Sequence, residues 1–273
     1  MHRDLNITAA GRVAIVTGGG SGLGRTVSRL LAQAGAVVNV CDIDFGAARE
    51  TVQQIAGLGL SATPHKMDVT NVVEVREIVR VIHQDQGPID VLVNNAGVEE
   101  PLNQLLTATA DSSWSRIIQT NLSGVFYTMR EVIPDMVAAG GGAIINVASV
   151  KALVAFSGSA AYNASKAGVA MLTRTAALEF ATKNVRINAV CPGAILDTGM
   201  TRDYLDGATD PVFERRLMDA IQPVNRSADS IEVARLIVFL ASDLASYITG
   251  AVLPVDGGLS AGLSPNLSHP VGE

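Results

Sequence analysis

A chain of 273 residues is one large domain or two small ones on length alone, and 48% of it is hydrophobic before its 26 glycines are counted. Only 17% is charged and 4% aromatic, a composition that excludes a disordered, collagenous or coiled-coil chain and leaves few rings for stacking on nucleic-acid bases. The 20 Lys and Arg against 26 Asp and Glu give a net charge of −6 with no basic cluster, which argues against DNA, RNA and anionic membranes as partners.

Short apolar runs alternate with longer helical patterns, the signature of βαβ units and a parallel sheet. Val13-Ala14-Ile15-Val16-Thr17 reads as the first buried strand, followed by a glycine loop at 18–24 and a helix to 34. A strand at 36–40, closed by Cys41-Asp42-Ile43-Asp44, leads to a helix at 45–58 and a strand at 62–67. Thr70 is expected to cap a helix over 70–86, with Glu74 and Glu77 in its early turns. A strand at 89–93 enters Asn94-Asn95-Ala96-Gly97. One long helix is expected over 112–139, kinked near Pro134, whose missing N–H breaks the ladder. A strand at 143–148, a helix at 159–182, a strand at 185–190, a helix at 228–240 and a strand at 251–255 complete the series. The fold class is therefore α/β, a Rossmann-type doubly wound sheet of seven parallel strands with helices on both faces. Residues 192–225 are expected to be one long irregular segment, whose Met200, Tyr204, Leu205, Phe213 and Met218 suit a lid over the site. A single domain is expected, with its core at 11–258, a substrate segment at about 194–225 and a weakly ordered tail at 263–273.

No apolar stretch approaches the roughly 18 residues of a membrane span, and the polar N-terminus with Arg3 and Asp4 lacks the apolar stretch of a secretory leader. A cytoplasmic protein is expected. Cys41 and Cys191 read as two buried reduced thiols, and His2, His65, His83 and His269 lack metal-ligand spacing, so no metal site is expected.

The segment Thr17-Gly18-Gly19-Gly20-Ser21-Gly22-Leu23-Gly24 joins a strand to a helix. Glycines there let the backbone approach a pyrophosphate, which the free N–H groups of the helix start can bind. The spacing is Gly-x-x-x-Gly-x-Gly, not the commoner Gly-x-Gly-x-x-Gly. Asp42 ends the second strand, where a carboxylate can accept both ribose hydroxyls of an adenosine, while Asp44 reads as an ordinary loop acid. A 2′-phosphate within about 4 Å of Asp42 would be repelled by about 4 kcal/mol at an effective dielectric of 20. With no Lys or Arg in 18–22 or just after Asp42, and Arg49 the one conceivable rescuer, NAD is preferred over NADP.

Tyr162 and Lys166 stand at i and i+4 on one helix face. A nearby ammonium favours the phenolate, which makes a tyrosine usable as a proton-transfer group near neutrality. Ser149 is expected to end the fifth strand, with twelve residues between it and Tyr162. Ligands of such sheets sit at the carboxyl ends of the strands, where Gly18, Asp42, Asn94 and Ser149 converge.

On these residues the sequence resembles the short-chain dehydrogenases/reductases, in their shorter single-domain branch, over about residues 11–258. The resemblance rests on Thr17-Gly18-x-x-x-Gly22-x-Gly24, Asp68-Val69, Asn94-Asn95-Ala96-Gly97, Asn121, Ser149, Tyr162-x-x-x-Lys166, and Pro192-Gly193 followed by Thr198. It implies that Tyr162 moves the proton of the substrate hydroxyl and that Ser149 stabilises charge on the substrate oxygen. It implies that Lys166 binds the nicotinamide ribose and acts on Tyr162, and that Asn121 holds a water linking Lys166 to solvent. Gly18, Ser21, Gly22, Leu23 and Gly24 would hold the dinucleotide together with Asp42 and Ile43. Asp68 and Val69 would border its adenine, Asn94, Asn95, Ala96 and Gly97 its centre, and Pro192, Gly193, Ile195 and Thr198 its nicotinamide end. A homotetramer is also implied, and small apolar residues at 160–181 suit close helix packing, although they equally suit the sheet.

The expected function is NAD-dependent interconversion of a secondary alcohol and a ketone. A 3-oxoacyl thioester reductase is the alternative, and a non-catalytic NAD sensor the rival that intact Ser149, Tyr162 and Lys166 oppose. A nucleotide-sugar epimerase would need another glycine spacing and a larger C-terminal region. The substrate walls are expected at 98–102, 150–156 and 198–218. There Glu99, Glu100 and Lys151 stand beside Leu153, Val154 and Phe156, which suits a cyclic, aliphatic or aromatic alcohol with a polar substituent.

Overall fold

Residues 7–99 and 104–262 are described by the structure, a computed structural model. The expected tail at 263–273 and the wall residues Glu100 and Leu102 lie outside the described residues. The strands are β1 (Val13–Thr17), β2 (Val37–Asp42), β3 (Ala62–Lys66), β4 (Ile89–Asn94), β5 (Gly142–Val147), β6 (Val185–Pro192) and β7 (Val252–Val255). The helices are α1 (Gly22–Gln33), α2 (Phe45–Ala56), α3 (Val72–Gln86), α4 (Asp111–Ile118), α5 (Gly124–Ala138), α6 (Ala160–Phe180), α7 (Gly199–Asp206), α8 (Pro211–Ala220) and α9 (Ser230–Ala241).

All seven strands pair in parallel in the order β3-β2-β1-β4-β5-β6-β7. β1 is buried along its whole length because both faces of the sheet are covered. Alternate residues feed two cores: Ala14 and Val16 pack with Val27, Leu31 and Ile237 of α1 and α9. Val13 and Ile15 face the layer that holds Val75, Met129 and Val169 of α3, α5 and α6. The strand order reverses between β1 and β4, which opens a crevice at their carboxyl ends. No described helix is long and apolar enough to cross a membrane.

Five expectations are corrected. Asn71, not Thr70, caps α3: its side chain accepts the N–H of Val73 and Glu74, while the Thr70 hydroxyl turns back to Asp68. The helix expected over 112–139 is divided by a π-turn at Gln119–Ser123, whereas α5 runs on through Pro134. Residues 192–225 are not irregular, because Thr198 caps α7 and Asp210, followed by Pro211 at the first helical position, caps α8. β5 stops at Val147, and Ser149 lies just beyond it as the cap of a single 3₁₀ turn. Asp44, expected as a solvated loop acid, caps α2 by accepting the Ala47 N–H.

Candidate active site

The glycine loop is fixed by close backbone packing. Gly18 has φ +61°, and a Cβ on it would lie 2.8 Å from Ala96 Cα; a Cβ on Gly24 would lie 2.1 Å from the Gly18 carbonyl oxygen. Neither position accepts a side chain without the backbone moving. Thr17 Oγ1 accepts the N–H groups of Asn95 (3.0 Å) and Ala96 (3.1 Å), and Asn95 Nδ2 donates to the carbonyls of Thr17 (3.1 Å) and Gly18 (2.9 Å). The loop after β1 and the segment after β4 are thereby one rigid unit at the crevice.

Asp42 is tied into this unit. Its Oδ2 accepts the Gly20 N–H at 2.8 Å and its Oδ1 the Asp44 N–H at 3.0 Å. A carboxylate has about four lone-pair sites, so each oxygen keeps capacity for a hydroxyl donor. One cation escaped the sequence reading: Arg25, on α1, donates through Nη2 to the Gly20 carbonyl at 2.6 Å. It also pairs with Glu50 at 3.1 Å, so its charge is already matched. Asp68 Oδ1 accepts both the N–H and the hydroxyl of Thr70 at 2.8 Å.

At the other end, the turn after β5 and the first turns of α6 bring Ser149, Tyr162 and Lys166 to the same cleft. Ser149 Oγ accepts the Lys151 N–H at 3.2 Å, and a hydroxyl that accepts in this way can still donate its own hydrogen. Lys166 Nζ donates to the Val147 carbonyl at 2.8 Å and lies 5.5 Å from the centroid of the Tyr162 ring. Burial lowers the Lys166 ammonium to about 8, against the opposing pull of the Glu99 charge. Asn121, buried in the π-turn, accepts the Val98 N–H and donates to the Val98 carbonyl, both at 2.8 Å, and donates to Ser165 Oγ at 3.2 Å. Its side chain therefore clamps the segment after β4 against α6.

The cleft measures about 990 Å³, a size usual for ligand sites. Gly18, Ser21, Gly22, Leu23, Asp42, Ile43, Asp68, Val69, Asn95, Ala96 and Gly97 line it. So do Ser149, Tyr162, Lys166, Pro192, Gly193, Ile195 and Thr198. Of the expected site residues, Gly24, Asn94 and Asn121 stand behind that wall, Asn94 buried between Asn146 and Thr128. α7 and α8 line the cleft through Met200, Tyr204, Glu214, Leu217 and Met218, and Tyr204 donates its hydroxyl to Glu214 across the two helices. Leu205 and Phe213, read as lid residues, lie outside the lining, and Phe213 is 58% exposed. Arg116, Ile221 and Leu259 also line the cleft, although the sequence singled out none of them.

The tight glycine cradle, the Asp42 carboxylate and the volume of the cleft fit a nicotinamide dinucleotide. The chain matches the family model described as enoyl-(acyl carrier protein) reductase over residues 18–260. It is 39% identical to the 3-oxoacyl-(acyl-carrier-protein) reductase of Thermotoga maritima, covering 91% of this chain and 98% of that protein. It is 42% identical to the cis-4-hydroxycyclohexanecarboxylate dehydrogenase of Sinomonas cyclohexanicum, covering 92% and 98%. The crystal structure of a short-chain type dehydrogenase/reductase from Mycobacterium marinum superposes with a TM-score of 0.86 at 32% identity, over 94% of this chain and 98% of that one. With this fold, these site residues and these likenesses, the chain belongs to the short-chain dehydrogenase/reductase family and is an oxidoreductase acting on CH–OH groups.

Proposed function

We propose that the chain is a single-domain, cytoplasmic, NAD-preferring enzyme that interconverts a secondary alcohol and a ketone, with Ser149, Tyr162, Lys166 and Asn121 as its catalytic set. When bound, the nicotinamide supplies or takes up the hydride at the carbinol carbon. The Ser149 hydroxyl, whose oxygen is held by the Lys151 N–H, donates to the substrate oxygen and stabilises charge on it. Tyr162 exchanges the substrate hydroxyl proton. Lys166 holds the ribose and favours the phenolate, and its low proton affinity suits it to pass a proton onward. With the Asn121 side chain committed to Val98 and Ser165, a relay water falls to its backbone carbonyl. α7 and α8 cover the site. Burial of Lys166 beside Tyr162 is the observation that carries this reading, since burying an ammonium is costly and such groups cluster at functional sites.

The substrate end combines Val150 and Phe156 with Glu99 and Lys151. That mixture, and the cyclohexane ring in the name of the Sinomonas relative, favour a cyclic secondary alcohol with a polar substituent. The exposed Phe126 of α5 and Met171 and Leu178 of α6 supply apolar surface for a homotetramer.

Cofactor preference is tested at Asp42. Its carboxylate favours two ribose hydroxyls, each charge-assisted bond being worth roughly 1.5–3 kcal/mol, and repels a 2′-phosphate. Asp42→Asn keeps a loop acceptor and removes the charge. We expect wild-type kcat/KM to favour NAD and the variant to narrow that preference by about tenfold or more. A wild type that prefers NADP would mean that Arg25 leaves Glu50 for the phosphate, and would overturn the assignment.

A further inference from the structure

We infer that Lys151 is a second cation acting on Tyr162, and that Glu99 sets how strongly it does so. Lys151 Nζ lies 5.1 Å from the Tyr162 ring centroid, as near as Lys166 Nζ at 5.5 Å, so two ammonium groups stand close to one phenol ring. The head of Lys151 is held by an ion pair with Glu99 and a 3.1 Å hydrogen bond to Ser159 Oγ. Both side chains of the pair are only about one-sixth exposed, at 15% and 16%, so solvent screens their charges weakly. Lys151 stays close to the ring because it lies in the single turn Val150–Ala152 that Ser149 caps, and its N–H fixes the Ser149 oxygen. One residue thus positions the serine through its backbone and biases the tyrosine through its charge.

Several other charges face this group. Lys166 comes from the same helix as Tyr162. Arg116 of α4 donates to the Glu99 carbonyl at 3.2 Å, and Glu214 of α8 lines the cleft beside Tyr204. Burial pushes the Cys191 thiol of β6 up to about 11, so it adds no charge at neutral pH. Burial, with Glu214 beside it, pushes the Tyr204 phenol up to about 12, so it stays neutral as well. Lys151 is therefore the cation, besides Lys166, that these contacts place against the Tyr162 ring.

The inference rests on Tyr162 being the proton-transfer group, and the test separates the two. Phenolate absorbance is titrated in the dinucleotide-free protein, and the Tyr162→Phe titration is subtracted to isolate Tyr162 from the other three of the chain's four tyrosines. Removing a cation near a phenol disfavours the phenolate. Lys151→Met should raise the Tyr162 midpoint by about one pH unit, Glu99→Gln should lower it, and Lys151→Arg should keep it near wild type. The pH limb of alcohol oxidation should move in the same directions. A structural role for Lys151 would not give opposite shifts for the two members of one ion pair. Superimposable titrations of wild type, Lys151→Met and Glu99→Gln would overturn the inference while leaving Tyr162 in place. Full activity in Tyr162→Phe would instead overturn the reading beneath it. Should Lys151→Met fail to fold, Lys151→Gln takes its place, and an unshifted Tyr162 midpoint in that variant would overturn the inference.

Discussion

Tyr162→Phe should bind dinucleotide as wild type does and lose turnover by a factor on the order of 10² to 10⁴, the usual contribution of a positioned acid or base. The ring is buried, at 7% exposure, with Lys151 and Lys166 close to it, and phenylalanine keeps both the packing and the cation–π contacts. Only the hydroxyl that carries the proton is lost. Calorimetric binding of NAD and steady-state turnover measured on one preparation check both halves. Wild-type turnover in the variant would remove Tyr162 from the mechanism.

Lys166→Met should show opposite effects on activity and stability. Turnover should fall by about 10²-fold or more, because the ribose contact and the charge beside Tyr162 disappear together. Stability at neutral pH should rise. In the folded state the Lys166 ammonium titrates at about 8 against an ordinary 10.5, so at pH 7 the fold carries a charge it holds less well than the unfolded chain does. That difference is on the order of 3 kcal/mol, offset in part by the lost bond to the Val147 carbonyl. The unfolded chain binds more protons than the folded one between pH 8 and 10.5. Wild-type stability attributable to this group therefore rises with pH across that window and is flat below it. Denaturant unfolding at several pH values should show the variant's advantage shrinking from pH 8 upward. A variant less stable than wild type at pH 7, with a constant gap, would mean that Lys166 is a structural cation.

Much of this was legible in the chain. Buried parallel strands are unbroken runs of Val, Ile and Ala, so β1 and β4 could be placed within a residue. The glycine loop, Asp42, Ser149 and the Tyr162–Lys166 spacing lie on local segments whose geometry the backbone dictates, and they do converge on one cleft. What escaped depends on competition or distance. Thr70 and Asn71 are both cap formers, and the Thr70 hydroxyl is drawn off by Asp68. α7 and α8 are short and half exposed, so their apolar residues gave no clear period, although Thr198 and Asp210-Pro211 carried the start signals. The π-turn at Gln119–Ser123 has no sequence signature, yet it seats Asn121 against Val98. Arg25 reaches Gly20 and Glu50, and Arg116 reaches the cleft, through tertiary packing alone.

The most direct measurement is nicotinamide absorbance after mixing the full chain with NAD, and separately with NADP, and a panel of cyclic and open-chain secondary alcohols. Reduction of NAD by at least one cyclic secondary alcohol is expected, with a higher kcat/KM than for NADP and with loss of the signal in Tyr162→Phe. Tight binding of NAD with no reduction by any alcohol, and no oxidation of NADH by the matching ketones, would contradict the proposed function.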